Sequence, residues 1–333
     1  MESAPLAFLE APAAQLDQLV LAAYARVRQR LGPTRLASLP APGAGFEVLA
    51  KLENEQPIRA FKARGAWNQV SQLTPAARRA GVVTASSGNH AQALAWAAKE
   101  HGVPATVCMP ANAYPSKIEA ARGFGARVEL CADRLAADQR CAELVAAGLF
   151  PVPPYDSLET LAGQGTLVYE ILAEAPDVDA LVVPVGGGGL LAGCCLAATA
   201  AAARRGQPLA VFGVEPSGAA SMVASLAAGR AVTLERIDSK IQGLTPPGAG
   251  CWPFEIVRRF AAGVSALPDG EILAAQAKLV REQGWIVEPA GAAAVAWVWG
   301  GGLAGRRFKR VCCVISGGNP DPAQLAALRA GSA

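Results

Sequence analysis

ALVVPVGGGGLLAGCCLAATAAAARR, residues 180–205, is the stretch that decides the fold. Residues 180–185 are apolar without a break. A strand wetted on one face would alternate, whereas an unbroken run suits a parallel strand covered on both faces. Gly186, Gly187, Gly188 and Gly189 then turn the chain, and the remainder reads as a buried helix. The segment 181–203 carries no charge and is long enough to cross a bilayer. Pro184 and the glycine run interrupt it, so strand, turn and helix is the better reading. Glycines let a backbone approach an anion closely, and a helix N-terminus offers free N–H groups and a positive dipole end. The turn therefore reads as a phosphate cradle. Plain tight packing is the competing explanation.

The same alternation extends outward on both sides. Upstream, strands at 82–84, 105–109 and 126–131 alternate with helices at 90–100, 116–123 and 135–147. Downstream come a strand at 209–215, helices at 270–283 and 288–299, and the apolar strand 310–315. Such a series implies parallel β-α-β units. Further upstream, a helix spans 16–31, residues 46–52 alternate as a strand, and a helix spans 61–73. A helix at 163–174 opens with Gly163–Gln164–Gly165–Thr166. We expect an α/β protein in which a small domain, residues 81–156, is inserted in a larger one made of 1–80 and 157–333.

At roughly 150 residues per domain, 333 residues allow about two domains. A net charge of +3 argues against a nucleic-acid or acidic-membrane partner. With 52% hydrophobic and 17% charged residues, extended disorder is excluded. The eight cysteines show no C-x-x-C spacing and there are two histidines, so neither a disulfide framework nor a metal site is expected. Free thiols and the absence of a basic leader in residues 1–20 point to a reduced, cytoplasmic protein.

Three other loops join the glycine turn as candidates, each at a strand end or a helix start, where open α/β sheets bind ligands. Residues 59–66 place Lys62 beside Phe61 at a helix start. A lysine that forms a Schiff base must be desolvated so that its neutral amine is populated near pH 7. Ser86, Ser87, Gly88, Asn89 and His90 open a helix with two hydroxyls, an amide and backbone N–H groups, which suits a carboxylate. A serine N-cap explains one of these serines and not the whole set. Ser316, with Gly317, Gly318 and Asn319, follows a buried strand and offers a hydroxyl to a ring nitrogen. A rival stands beside these. Gly187, Gly189 and Ala192 form G-x-G-x-x-A, and Glu215 ends the next strand, as in a dinucleotide-binding unit of an NAD-dependent oxidoreductase.

Taken in order, the four loops resemble fold-type II pyridoxal-phosphate (PLP) enzymes, the serine/threonine dehydratase and serine racemase group. Residues 51–54, 162–166 and 288–291 extend the resemblance over nearly the whole chain. It implies PLP held by Lys62, which is also the α-proton base, with Phe61 beside the ring. Asn89 would bond the phenolic oxygen, Gly186 to Gly189 the phosphate, and Ser316 the ring nitrogen. Ser86, Ser87, Asn89 and His90 would surround the substrate carboxylate, with Gln242 near the side chain. Ser87 matches the racemases' second acid/base. The implied reaction is α,β-elimination of water from a β-hydroxy amino acid such as L-threonine or L-serine, by a homodimer. The alternatives are a racemase or a β-replacement synthase of the same fold. Ala60 stands where the family usually has Ser, and Gln242 where an acid is common. Ser221 replaces an acid at the family's metal position, which otherwise comprises Glu215 and the Ala219 carbonyl. No metal is therefore expected.

Overall fold

The computed structural model describes residues 13–331. Of residues 1–20, where no basic leader is expected, 1–12 lie outside the described residues. In chain order the elements are α1 (Ala13–Val27), β1 (Leu36–Ser38), β2 (Glu47–Leu52), α2 (Lys62–Ser71), α3 (Pro75–Ala80), β3 (Val82–Ala85), α4 (Asn89–Glu100) and β4 (Ala105–Pro110). Then follow α5 (Pro115–Gly123), β5 (Arg127–Cys131), α6 (Arg134–Ala146), β6 (Phe150–Pro151), α7 (Leu158–Glu174), β7 (Ala180–Pro184), α8 (Gly189–Arg205) and β8 (Ala210–Pro216). The last are α9 (Ser221–Ala228), α10 (Cys251–Phe260), β9 (Gly263–Leu267), α11 (Asp269–Glu282), α12 (Pro289–Trp299), β10 (Arg310–Ile315) and α13 (Pro322–Ala330).

The strands form two sheets. One has six strands in the order β1-β2-β10-β7-β8-β9, and the other four in the order β5-β4-β3-β6. All pairings are parallel except β1 with β2. The unbroken apolar run of β7 has a direct cause. Leu181 and Val183 enter a core with α7 and α8, while Ala180 and Val182 enter a second core with α11 and α12 on the opposite face. Strand β10 divides likewise, Cys312 and Val314 to one side and Val311, Cys313 and Ile315 to the other. Each fully buried Leu or Val side chain contributes about 1.5–3 kcal/mol. Among the described residues no helix is long and apolar enough to cross a membrane, and all eight cysteines are free.

Two features set the position of α2, which begins at Lys62. Glycines in α7 and α8 bring backbones together. A Cβ on Gly163 would lie 2.7 Å from Gly65 Cα, and one on Gly165 would lie 2.3 Å from the Gly193 carbonyl oxygen. The run 163–166 therefore marks helix crossings. Helix α7 starts five residues before it, where the Ser157 hydroxyl accepts from Thr160 N–H. Beside this crossing lies a wholly buried charge network. Arg64 grips Glu53 (2.7 and 2.8 Å) and Glu170 (2.7 Å twice), and Lys51 meets Glu170 at 2.7 Å. Burial pushes the Glu53 carboxyl up, yet Arg64, with Lys51 and Thr34, overcomes it and holds Glu53 down at about 2.

Candidate active site

The C-terminal ends of β3, β7 and β10 open onto one cavity of about 290 Å³. The residues to which the resemblance gave a cofactor or substrate role all line it: Phe61, Lys62, Ser86, Ser87, Asn89, His90, the four glycines 186–189, Gln242 and Ser316. Elements as distant in sequence as α2 and β10 converge here. The chain before α2 forms a bridge from Ala60 to Gly317, and Phe61 N–H donates to the Ser316 carbonyl at 3.1 Å. Arg59, just upstream, is held at φ 55°. Its carbonyl accepts from Gly318 N–H at 2.8 Å. A non-glycine residue in the left-handed region stores strain that the surroundings must hold.

Lys62 Nζ donates to the Pro154 carbonyl at 2.6 Å and lies 5.0 Å from the Phe61 ring centroid. Desolvation pushes its ammonium pKa down from 10.5 to about 7. Among the described residues no carboxylate pairs with it to restore the charge. The neutral amine, the state a nucleophile or a base requires, is thus accessible near pH 7.

Residues 86–90 form the turn into α4. The N-cap is Gly88, and no side chain caps the helix. The serine-cap explanation therefore fails. Ser86 Oγ instead accepts from Gly88 N–H at 3.3 Å, and no bond from the Ser87 hydroxyl is present among the described residues. An uncapped helix start beside two hydroxyls is a ready anion site. The His90 side chain takes no part in it. Its Nε2 bonds the Val152 carbonyl at 2.8 Å and so carries the proton, while Nδ1 is buried without a partner. Burial, aided by the Lys62 charge, drives the imidazole down to about 3. A neutral ring engaged in this way has no side-chain donor left for a carboxylate, so His90 can contribute only its backbone N–H.

The glycine turn also opens a helix without a cap. Gly188, at φ 88°, is the N-cap of α8 and has no side-chain partner. A Cβ on Gly188 would lie 2.5 Å from Met222 Cε, and one on Gly187 would lie 2.6 Å from the Tyr155 ring. Packing and anion binding are therefore joint explanations. The close neighbours account for the glycines, and the uncapped N-terminus remains on the cavity. Ser316 Oγ makes only a long bond, 3.4 Å, to the Ala290 carbonyl and stays available to a ligand. The desolvated amine, the uncapped glycine turn and the neutral hydroxyl together fit an aromatic aldehyde bearing a phosphate.

The sequence reading gave no role to several residues of the lining: Glu288, Tyr155 and Lys117. Glu288 Oε1 accepts from Asn89 Nδ2 at 2.6 Å, and Asn89 Oδ1 accepts from Asn319 Nδ2 at 2.9 Å. These two bonds fix the amide's orientation and leave one Asn89 N–H for a ligand. Burial pushes the Glu288 carboxyl up, against the Lys117 charge and the Asn89 bond. Glu288 stood inside the motif 288–291, yet its partner is 199 residues away, so spacing gave no signal. Lys117 Nζ donates to Gln242 Oε1 at 3.1 Å, which sets Gln242 at the rim.

The dinucleotide alternative meets a physical obstacle. Glu215 is wholly buried, and its two oxygens accept from Met222 and Val223 N–H, both at 2.9 Å. A carboxylate engaged in this way cannot read a ribose. The position read as a lost metal ligand, Ser221, has a buried hydroxyl without a partner.

Comparison with known proteins gives the following. The family described as pyridoxal-phosphate dependent enzyme matches residues 27–317. A biosynthetic L-threonine dehydratase of Mycobacterium leprae is 38% identical over 87% of this chain and 68% of its own length. The chain thus spans about two thirds of that relative. A serine racemase of Schizosaccharomyces pombe is 37% identical over 83% of this chain and 84% of its own. The solved structure of the processed form of threonine deaminase isoform 2 from Solanum lycopersicum superposes with a TM-score of 0.86 at 31% identity, covering 96% of this chain and 93% of that one.

Proposed function

The chain belongs to the pyridoxal-phosphate-dependent enzyme family, in its fold-type II architecture, and on that premise we propose that it is an ammonia-lyase converting a β-hydroxy amino acid, L-threonine or L-serine, to a 2-oxo acid and ammonia. The observation that carries this reading is the convergence of the Lys62 amine, the uncapped serine turn and the glycine turn in one cavity. Relatives named threonine dehydratase and threonine ammonia-lyase support it.

Pyridoxal phosphate, when bound, supplies the electron sink for charge left on the substrate Cα. Lys62 holds the cofactor and, as a neutral amine, accepts the α-proton. Ser86, Ser87 and the N–H groups at the start of α4 bind the α-carboxylate and orient the Cα–H bond toward Lys62. Glu288 and Asn319 fix Asn89, whose remaining N–H serves the phenolic oxygen. Ser316 gives the ring nitrogen a neutral partner. A hydroxyl at that position, unlike a carboxylate, would not favour a positively charged ring, which would limit how far charge spreads into it and favour loss of the β-hydroxyl. Hydrogen and hydroxyl depart as water, and one water re-enters to release ammonia. The Pro154 carbonyl accepts from the amine, and the Phe61 ring lies beside it.

A second reading, racemisation, rests on the free Ser87 hydroxyl, which would return a proton to Cα from the side away from Lys62. The S. pombe relative supports it. We further read the four-stranded unit, 81–156, as a small domain within a larger one from its strand–helix alternation, the protein as cytoplasmic from its free thiols, and the assembly as a homodimer on the resemblance. Assay of 2-oxo acid from L-threonine and L-serine, with chiral analysis of the remaining amino acid, tests both readings. Formation of 2-oxo acid supports the lyase. Inversion without it leaves the racemase, and neither product removes both.

A further inference from the structure

Residues 154–157 form one short turn, and each of them holds a different part of the site. The Pro154 carbonyl accepts from Lys62 Nζ, the Tyr155 ring lies over Gly187, and Ser157 caps α7. Asp156 is the member to which the chemistry above gives no part. It does not line the cavity, yet both of its oxygens are engaged. Oδ2 accepts from Cys251 N–H at 3.0 Å and Oδ1 from Trp252 N–H at 2.9 Å. These are the first two N–H groups of α10, whose N-cap is Gly250 and has no side chain to serve them. A carboxylate from 95 residues earlier does so instead. The fit is close, because a Cβ on Gly250 would lie 3.0 Å from Asp156 Cγ and 2.8 Å from Pro253 Cδ.

Gly250, fixed in this way, donates its N–H to the Gly187 carbonyl at 3.1 Å. That bond acts across the peptide. The 187–188 peptide is trans and planar, so its C=O and N–H point in opposite directions. Gly187 and Gly188 line the cavity, whereas Gly250 does not. With the carbonyl turned out to Gly250, the Gly188 N–H turns in, and it makes no hydrogen bond among the described residues. Between two glycines the opposite orientation meets little resistance, since neither carries a Cβ. The inward direction therefore needs an anchor.

We propose that Asp156 is a positioning residue for the cofactor phosphate: by capping α10 it holds Gly250 against the Gly187 carbonyl and keeps the Gly188 N–H aimed into the cavity. A flipped peptide would present its carbonyl oxygen there, replacing a hydrogen bond to the phosphate with a repulsion between two negative oxygens. The role belongs to cofactor binding and does not depend on which reaction follows.

Equilibrium dialysis of the full chain, freed of cofactor, compares pyridoxal phosphate with pyridoxal, which keeps the aldehyde and lacks the phosphate. Asp156→Ala should raise the Kd for pyridoxal phosphate about tenfold, the worth of one hydrogen bond to a charged group, and leave that for pyridoxal within about twofold. Asp156→Asn, which keeps one acceptor oxygen for one of the two N–H groups, should fall between wild type and alanine. A carboxylate that only stabilises the fold would move both ligands together or neither, and either result overturns the proposal. So does a wild type that binds the two ligands equally, since the turn then has no grip on a phosphate. If Asp156→Ala does not fold, Asp156→Asn decides by the same criterion, a loss for pyridoxal phosphate alone. No turnover enters the measurement, so failure of the lyase reading leaves it intact.

Discussion

At Lys62, desolvation alone moves an amine from an ordinary 10.5 to about 7. The sign sets a pH dependence for cofactor uptake by the cofactor-free protein, because the neutral amine is the reactive form. Below about 7 the rate falls roughly tenfold per pH unit, and above about 8 it is flat. Stopped-flow absorbance checks this, and a rate still climbing tenfold per unit at pH 9 would contradict it. Glu288→Gln retains an acceptor for Asn89 but can also present an amide donor to it. We expect the cofactor's Kd to rise about tenfold, a change of about 1.4 kcal/mol, measured by equilibrium dialysis. For Ser87→Ala, the racemase reading expects elimination to survive and inversion to disappear in a chiral assay. Lys62, Asn89 and Ser316 were legible because each sits within a short motif at a strand end or helix start. Glu288 and Tyr155 were not, since their roles come from contacts with residues far away in sequence. His90 was legible as a lining residue, but its neutral ring could be known only from the Val152 carbonyl beside it.

Among the elements, β7 and its glycine turn were the most readable, because a strand buried on both faces writes an unbroken apolar run. Helix α10 was hidden by Pro253, which sits in its first turn where no intrahelical N–H is required. The edge strand β9, GVSAL, is too short and too little buried to signal. The Gly163 to Thr166 run misled in an informative way, since its glycines mark backbone crossings within α7 and not a helix start. The glycine turn itself yields a sharp expectation. Gly188→Ala forces an L side chain to φ 88° and toward Met222 and Pro253. The left-handed conformation costs about 1–2 kcal/mol and overpacking about 1–3 more. Chemical denaturation should show that loss, and cofactor affinity should fall with it. Unchanged stability and affinity would mean the turn tolerates a side chain.

Across the whole molecule, two sheets bring α2, α4, α8 and β10 to a common opening, and the buried Arg64 network fixes the helix that carries Lys62. Breaking one partner of such a network leaves a buried charge uncompensated. Glu170→Gln should therefore lower unfolding free energy by about 3–5 kcal/mol in denaturant titration. An effect under about 1 kcal/mol would mark the network as incidental. The α/β class and the order of the four loops could be read from sequence, because local pattern determines them. The charge network could not, since Lys51, Glu53, Arg64 and Glu170 look like ordinary surface residues until the fold buries them. All of the chemistry proposed here depends on Lys62 as the attachment point. Borohydride reduction of the holoenzyme, followed by peptide mass mapping, tests this directly. The account predicts a reduced pyridoxyl group on the peptide containing Lys62 and none elsewhere. A label on a different lysine, or a fully loaded enzyme that takes no label, would contradict it.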